Sequence, residues 1–200
     1  MLVSEIKSRP VYGGLRVDGA ARRHLVAAEG EGALAALAAF GAAPEALGRT
    51  AILYCPAGSA GQGHEAALQA LGADAVYVTP SVETLLFRLN VMLGVATMGT
   101  RIYAAGREGF IGSVVAAAVA HGVDHHSIHT EHRGSLARRV QCVHCKGMTD
   151  NVTVTPFVCS HCGLTLFVRD HFSRRLGAFQ GVCVDAEEPG VIPPAEELYR

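Results

Sequence analysis

The sequence predicts an α/β chain: about five parallel strands flanked by helices, followed by a small β-rich zinc-ribbon module. Three observations carry this. Apolar strand-like stretches alternate with helical stretches from His24 to Thr130. Two Cys-x-x-Cys pairs, Cys142 with Cys145 and Cys159 with Cys162, lie near the C-terminus. Half of the 200 residues are apolar, which is enough for a real core.

Residues 1 to about 20 are polar, carry Gly13 and Gly14, and read as an extended arm or short hairpin. His24 to Ala28 is a short apolar strand. Glu29-Gly30-Glu31-Gly32 turns into a helix from Ala33 to Phe40, ended by Gly41. Ala51 to Cys55 is the second strand. A glycine-rich loop over 56–63 leads to a helix from His64 to Leu71, closed by Gly72. Ala75 to Val78 is the third strand. Ser81 caps the next helix, Val82 to about Leu93, with Thr84 where a full capping box wants a carboxylate or amide. Leu85, Leu86, Leu89 and Leu93 recur at helical spacing and mark its buried face. Thr100 to Ala105 is the fourth strand, Phe110 to His121 a helix ended by Gly122, and Ser127 to Thr130 the fifth strand. Strands alternating with helices imply a parallel sheet covered on both faces.

The alternation stops at Arg133-Gly134-Ser135. Ser135 to Gln141 reads as a linker or short helix. Asn151 to Thr155 and Leu164 to Val168 alternate like hairpin strands. The tail carries Pro189, Pro193, Pro194 and five acids from Asp185 onward, and reads as an extended segment wrapping a surface. The expected organisation is an α/β domain over 1–135, a ribbon over 136–168, and a docking segment with tail over 169–200. In the last, Phe172, Leu176 and Phe179 have the spacing of an amphipathic docking helix.

Each cysteine pair is a knuckle, because two thiolates three positions apart can turn toward one point. Thirteen residues separate Cys145 from Cys159, the separation of a compact ribbon. Cys142, Cys145, Cys159 and Cys162 are therefore the expected metal ligands. Zinc is the expected ion, with one iron in a rubredoxin-like shell as the alternative. Cys55 and Cys183 have no evident partner. Net charge is -1, which gives no general attraction to nucleic acid or an anionic membrane. Residues 136–200 hold seven basic and seven acidic side chains, without the basic footprint of a nucleic-acid-binding ribbon. No signal-peptide core opens the sequence. The most apolar stretch, Leu85 to Met98, contains Arg88 and Asn90 and falls short of the roughly 20 residues of a membrane span. A soluble cytoplasmic protein is expected. Five of the ten histidines fall between His121 and His132 and read as solvated, capping or contact residues.

His24 to Phe40, Thr50 to Cys55 and above all Arg101 to Glu131 resemble the nicotinamide-binding half of ferredoxin-reductase-like flavoenzymes. That resemblance implies a pyrophosphate at a glycine-rich first turn, a nicotinamide beside a late Cys-Gly-Pro turn, and an acid near the end of the last strand. The late turn here has Ala105 for the cysteine, then Gly106, then Arg107 for the proline; Glu131 matches the acid. The first turn departs, because Glu29 and Glu31 oppose a pyrophosphate. No flavin-binding barrel precedes the domain in this sequence. The turn therefore reads as a poor site for NADPH. Any phosphate would fall to Gly58, Gly61 and Gly63, or to Gly106 and Arg107. No catalytic residue is identified.

With the two knuckles and the segment Arg169 to Val182 added, nearly the whole chain resembles the small A subunit of bacterial dimethylamine monooxygenases. The resemblance implies a multi-component NADPH-dependent enzyme that oxidatively demethylates dimethylamine to methylamine and formaldehyde. Partner subunits would supply a flavin and iron–sulfur reductase and a haem oxygenase, and this chain would act in assembly or electron delivery. The alternatives are a free-standing nicotinamide-nucleotide-binding protein with a structural zinc ribbon, and a nucleic-acid-binding zinc ribbon.

Overall fold

The computed structural model describes residues 8–58 and 63–199. They form two compact units. One spans residues 12–134; the other joins residues 8–11 to 135–199.

In the first unit, β1 (Arg23–Glu29), β2 (Thr50–Cys55), β3 (Ala75–Val78), β4 (Thr100–Gly106) and β5 (Ile128–His132) alternate with α1 (Gly32–Gly41), α2 (His64–Ala70), α3 (Val82–Gly94) and α4 (Glu108–Ala120). All five strands are parallel, in the order β3-β2-β1-β4-β5. The α/β fold with a five-stranded parallel sheet is as the alternation predicts. Successive side chains of β1 point to opposite faces. Leu25 and Ala27 join Leu85, Leu89 and Leu93 of α3 and Phe110, Val114 and Ala118 of α4 on one face. Val26 and Ala28 join Ala33, Ala36 and Phe40 of α1 and Leu68 of α2 on the other. The alanine side of α1 lets it lie close to the sheet. Ser81 caps α3 as expected, accepting from the Thr84 N–H at 3.3 Å. A 3-10 turn over Pro44–Arg49 has no counterpart in the sequence reading.

Residues 12–22 carry no helix or strand, as expected of an arm. They are tied to the sheet: Gly14 N–H donates to Thr130 O (3.1 Å) and Asp18 N–H to the Tyr103 hydroxyl (3.1 Å).

The second unit contains β6 (Arg138–Cys142), β7 (Met148–Val152), β8 (Val154–Thr155), β9 (Phe157–Val158), β10 (Thr165–Ser173), β11 (Ala178–Cys183) and β12 (Glu196–Glu197). Five of them form a sheet in the order β7-β6-β11-β10-β9, and β12 pairs with β8. Two expectations are corrected here. Ser135 to Gln141 is neither linker nor helix at its end: β6 buries Arg138, Val140 and Cys142 in alternation, so a strand period overrides a helical reading. Phe172, Leu176 and Phe179 do not form a helix. The β10–β11 hairpin pairs Phe172 directly with Phe179, rings 5.0 Å apart, while Leu176 lies in the turn between them. A hairpin folding back on itself mimics helical spacing when the paired positions are seven apart. One strand, β10, also runs through position 168, where the ribbon was expected to give way to the tail. The tail turns over residues 184–190 and then returns to the unit, with Leu198 and Tyr199 N–H both donating to Thr153 O. Among the described residues, the largest buried cluster of this unit has nine members, a small core for the chain it must order. No helix among the described residues is long and apolar enough to cross a membrane.

Candidate functional site

The two knuckles are built alike. Cys142 N–H donates to Gly147 O (3.0 Å) and Lys146 N–H to Cys142 O (3.0 Å). In the second, Cys159 N–H donates to Leu164 O (2.9 Å) and Gly163 N–H to Cys159 O (3.1 Å). Each turn needs a left-handed residue directly after its second cysteine. Gly163 supplies it at φ 76° without steric cost, and Lys146 adopts φ 63°.

This repeated turn aims four sulfurs at one point. Cys142 and Cys162 Sγ lie 3.8 Å apart, as do those of Cys145 and Cys159, and all four lie within 4.8 Å of one another. A tetrahedron with bonds of about 2.3 Å to sulfur spaces its corners about 3.8 Å apart. The donor set therefore fits a thiolate-bound metal ion. Burial raises the Cys159 thiol, but backbone N–H groups of Cys162 and His161 and the neighbouring sulfurs outweigh it and bring it down to about 6. The Leu164 N–H pulls Cys162 down, yet burial and the other cysteines push it up to about 12. Favouring one thiolate while penalising the next is what like charges converging on one point do, and a bound cation removes that conflict.

His144 and His161 stay outside the sulfur cluster. His161 instead braces it: its Nε2–H donates to Met148 O at 2.7 Å, and its ring packs on Gly147. A Cβ at Gly147 would come within 2.5 Å of that ring. Arg138 is a residue that sequence reasoning missed. It is buried, with its guanidinium sandwiched between the rings of Phe179 (3.9 Å) and Tyr199 (4.0 Å) and bonded to Asp170 (2.9 Å). The signal was available in the alternation of Arg138, Val140 and Cys142.

In open parallel sheets, ligands bind where strand order reverses, here between the C-terminal ends of β1 and β4. That crevice is filled by the chain's own side chains. Glu29 is buried and its carboxylate accepts from Arg107 three times: from Nη2 (2.5 Å), Nε (3.2 Å) and the backbone N–H at the start of α4 (3.3 Å). An internal carboxylate thus takes the place that the helix N-terminus offers an anion. The glycines have packing reasons. A Cβ on Gly32 would lie 2.0 Å from Ala105 O, and Gly106 has φ 152° with Glu29 Cβ 2.9 Å from where its own would be. Glu131 is engaged as well, accepting from Leu15 N–H (2.9 Å) and from Arg133. Gly58 and Gly63 flank the loop before α2, both at positive φ. Gly61 lies outside the described residues. The structure thus brings Gly106 and Arg107 to the crevice and holds Arg107 on Glu29.

The histidines do not gather into a second metal site among the described residues. His24 is fully buried, with Nδ1 3.0 Å from the Tyr103 hydroxyl, and His129 stacks on the Tyr103 ring at 5.0 Å. Cys55 and Cys183 are free thiols.

Fold and site together define a doubly wound domain followed by a four-cysteine module. The chain belongs to the family described as dimethylamine monooxygenase subunit DmmA-like: its N-terminal domain matches residues 4–128 and its C-terminal domain residues 139–182. A relative in Ectopseudomonas mendocina (strain ymp), the heme-dependent oxidative N-demethylase delta subunit, is 39% identical over 116 residues. That match covers 57% of this chain and 66% of the relative's own length. Among solved structures, an intact type IV self-sufficient cytochrome P450 monooxygenase aligns at TM-score 0.49 and 20% identity, over 82% of this chain and 21% of its own. The flavohem-like FAD/NAD-binding domain of nitric oxide dioxygenase from Vibrio cholerae O1 biovar El Tor aligns at TM-score 0.43 and 19% identity, over 62% and 56%.

Proposed function

We propose that this chain is an assembly or electron-delivery subunit of a multi-component oxidative N-demethylase, an NADPH-dependent monooxygenase that converts dimethylamine to methylamine and formaldehyde. One observation carries the reading: the four sulfurs lie close enough together to close a metal's shell, and in the crevice Glu29 holds Arg107. Neither leaves an open position for oxygen, amine or hydride chemistry. Family membership and the relative's place in a demethylase support the same reading. Flavin, iron–sulfur cluster and haem are assigned to partner reductase and haem oxygenase subunits. NADPH would bind there rather than at Gly58, Gly61, Gly63, Gly106 or Arg107 of this chain.

Zinc held by Cys142, Cys145, Cys159 and Cys162 would supply a cross-link that the small second core lacks. Docking is assigned to residues 169–200, whose hairpin turn exposes Arg174 and Arg175. The proposed compartment is the cytoplasm, where reducing conditions keep the thiols free to bind metal.

The test is co-expression with the reductase and haem oxygenase subunits, followed by purification on a tag carried by this chain. Recovery of a complex that demethylates dimethylamine with NADPH, and that loses activity without this chain, is expected. Undiminished activity from the other subunits alone refutes the proposal. Elemental analysis of the purified chain separates the two roles: one colourless zinc fits assembly, whereas one iron with thiolate-to-metal absorption fits electron delivery.

A further inference from the structure

Helix α3 has a second surface that neither the metal site nor the crevice uses. Its inner side buries Leu85, Leu89 and Leu93 against the sheet. Its outer side exposes Phe87 (74%) and Val91 (58%), and the chain just beyond exposes Val95 (79%) and Met98 (93%). Phe87 and Val91 stand one helical turn apart, and Val95 follows at the same interval. Together the four expose on the order of 500 Å² of apolar side chain, near the upper end of what a monomer leaves to water. Charge does not break up the face. Arg88 folds its guanidinium over the Tyr77 ring, 4.2 Å from the centroid.

The face has a knob and a gap. Phe87 is the knob. Gly94, seven residues on and therefore on the same side of the helix, is the gap, since it carries no side chain and a Cβ there would stand in open space with nothing within 4 Å. The two lie at equal distances from the midpoint between Asn90 and Val91. A face with that symmetry complements itself. When a second copy packs antiparallel about a two-fold axis at the midpoint, each Phe87 covers the open surface at Gly94 of the other copy, next to Val91 and Val95. The charges follow the same symmetry. Glu83 lies one turn before Phe87. Arg22 lies at the far end, its Cγ 3.1 Å from where a Gly99 Cβ would stand. Neither Glu83 nor Arg22 has an ion-pair partner among the described residues. The two-fold packing sets each Glu83 opposite Arg22 of the other copy.

We propose that this face is the two-fold interface of a homodimer. Two such patches bury roughly 1,000 Å² in total, the lower bound for a specific interface. The inference does not depend on the demethylase reading.

Sedimentation equilibrium of the purified full-length chain tests it, with a thermal melt on each variant to verify folding. The wild type should be in concentration-dependent monomer–dimer exchange. Phe87→Glu should weaken the dimer by roughly 100-fold, and Gly94→Val should weaken it by filling the space Phe87 occupies. Glu83→Arg alone should weaken it about tenfold, and adding Arg22→Glu should restore it. That restoration is what neither a misfolded variant nor a different partner would give. A chain monomeric at every accessible concentration overturns the proposal, as does a charge reversal that fails to rescue. If the monomeric chain instead loses binding to the reductase or haem oxygenase subunit on Phe87→Glu, the face belongs to that subunit and the homodimer is refuted.

Discussion

Removing Arg107 and removing Glu29 should destabilise the protein by different amounts, although both break the same ion pair. The asymmetry follows from burial: the Glu29 side chain is 2% exposed and that of Arg107 39%. Arg107→Ala takes away the Nε and Nη2 donors and leaves a buried carboxylate with the backbone N–H at 3.3 Å. A buried charge stripped of its partner costs about 3–5 kcal/mol. Glu29→Ala removes the buried charge itself and leaves a guanidinium that already reaches water. Its cost is the acceptor at the start of α4 and a little packing, about 1–2 kcal/mol. The double variant should resemble Glu29→Ala, because without the carboxylate the guanidinium has lost its buried partner. Urea unfolding followed by far-UV circular dichroism, with the metal kept bound, gives each difference from the midpoint at constant slope. A Glu29→Ala loss equal to or larger than that of Arg107→Ala would refute the argument. It would mean that the crevice prizes the carboxylate as an anchor rather than tolerating it as a filler.

Gly147→Ala should drive the His161 ring away and loosen the metal site, at a cost of about 1–3 kcal/mol, since its Cβ would lie 2.5 Å from that ring. Gly48→Ala, with nothing within 4 Å, is the control, and metal release to a colorimetric chelator should speed up only for the former. Tyr199→Ala should cost about 2–3 kcal/mol by uncovering Arg138, read as a lower melting temperature of the metal-loaded chain. Acid should destabilise the α/β unit through His24. Burial first, then the positive Arg49, holds its imidazole below the ordinary range, with Asp18 opposing and Arg101 and Arg23 adding to the effect. The unfolded chain takes up the proton first, so stability is complete above about pH 6.5 and declines as pH falls toward the lowered folded value. His24→Leu should flatten that decline, and an unchanged slope in the difference between the two proteins would rule His24 out.

Five strands and four helices could be read from periodicity because each buries one clear face. Leu85, Leu89 and Leu93 on α3 are an example. The four cysteines were legible for a different reason: two thiolates at a three-residue spacing have few other uses. The failures came where one pattern serves two periods. Phe172 and Phe179 are seven apart on a helix and also opposite each other in a hairpin, and only the turn at Leu176 and Gly177 distinguishes the cases. Arg138 was passed over because a charged side chain reads as solvated unless something covers it. The cover, Tyr199, lies 61 residues away in the chain.

By itself the sequence determined the fold class, the strand order's building blocks and the four-cysteine cluster, all of which rest on local spacing. The tertiary structure decided what the glycine turns are for. Glu29 and Glu31 in the first turn only hint that the crevice resists a phosphate. Folding brings Glu29 against Arg107, 78 residues on, and shows that Gly32 and Gly106 allow backbone to approach backbone. Spacing along a chain records which side chains share a face. Which charges meet across β1 and β4 depends on strand pairing between distant segments, and local sequence carries no record of that.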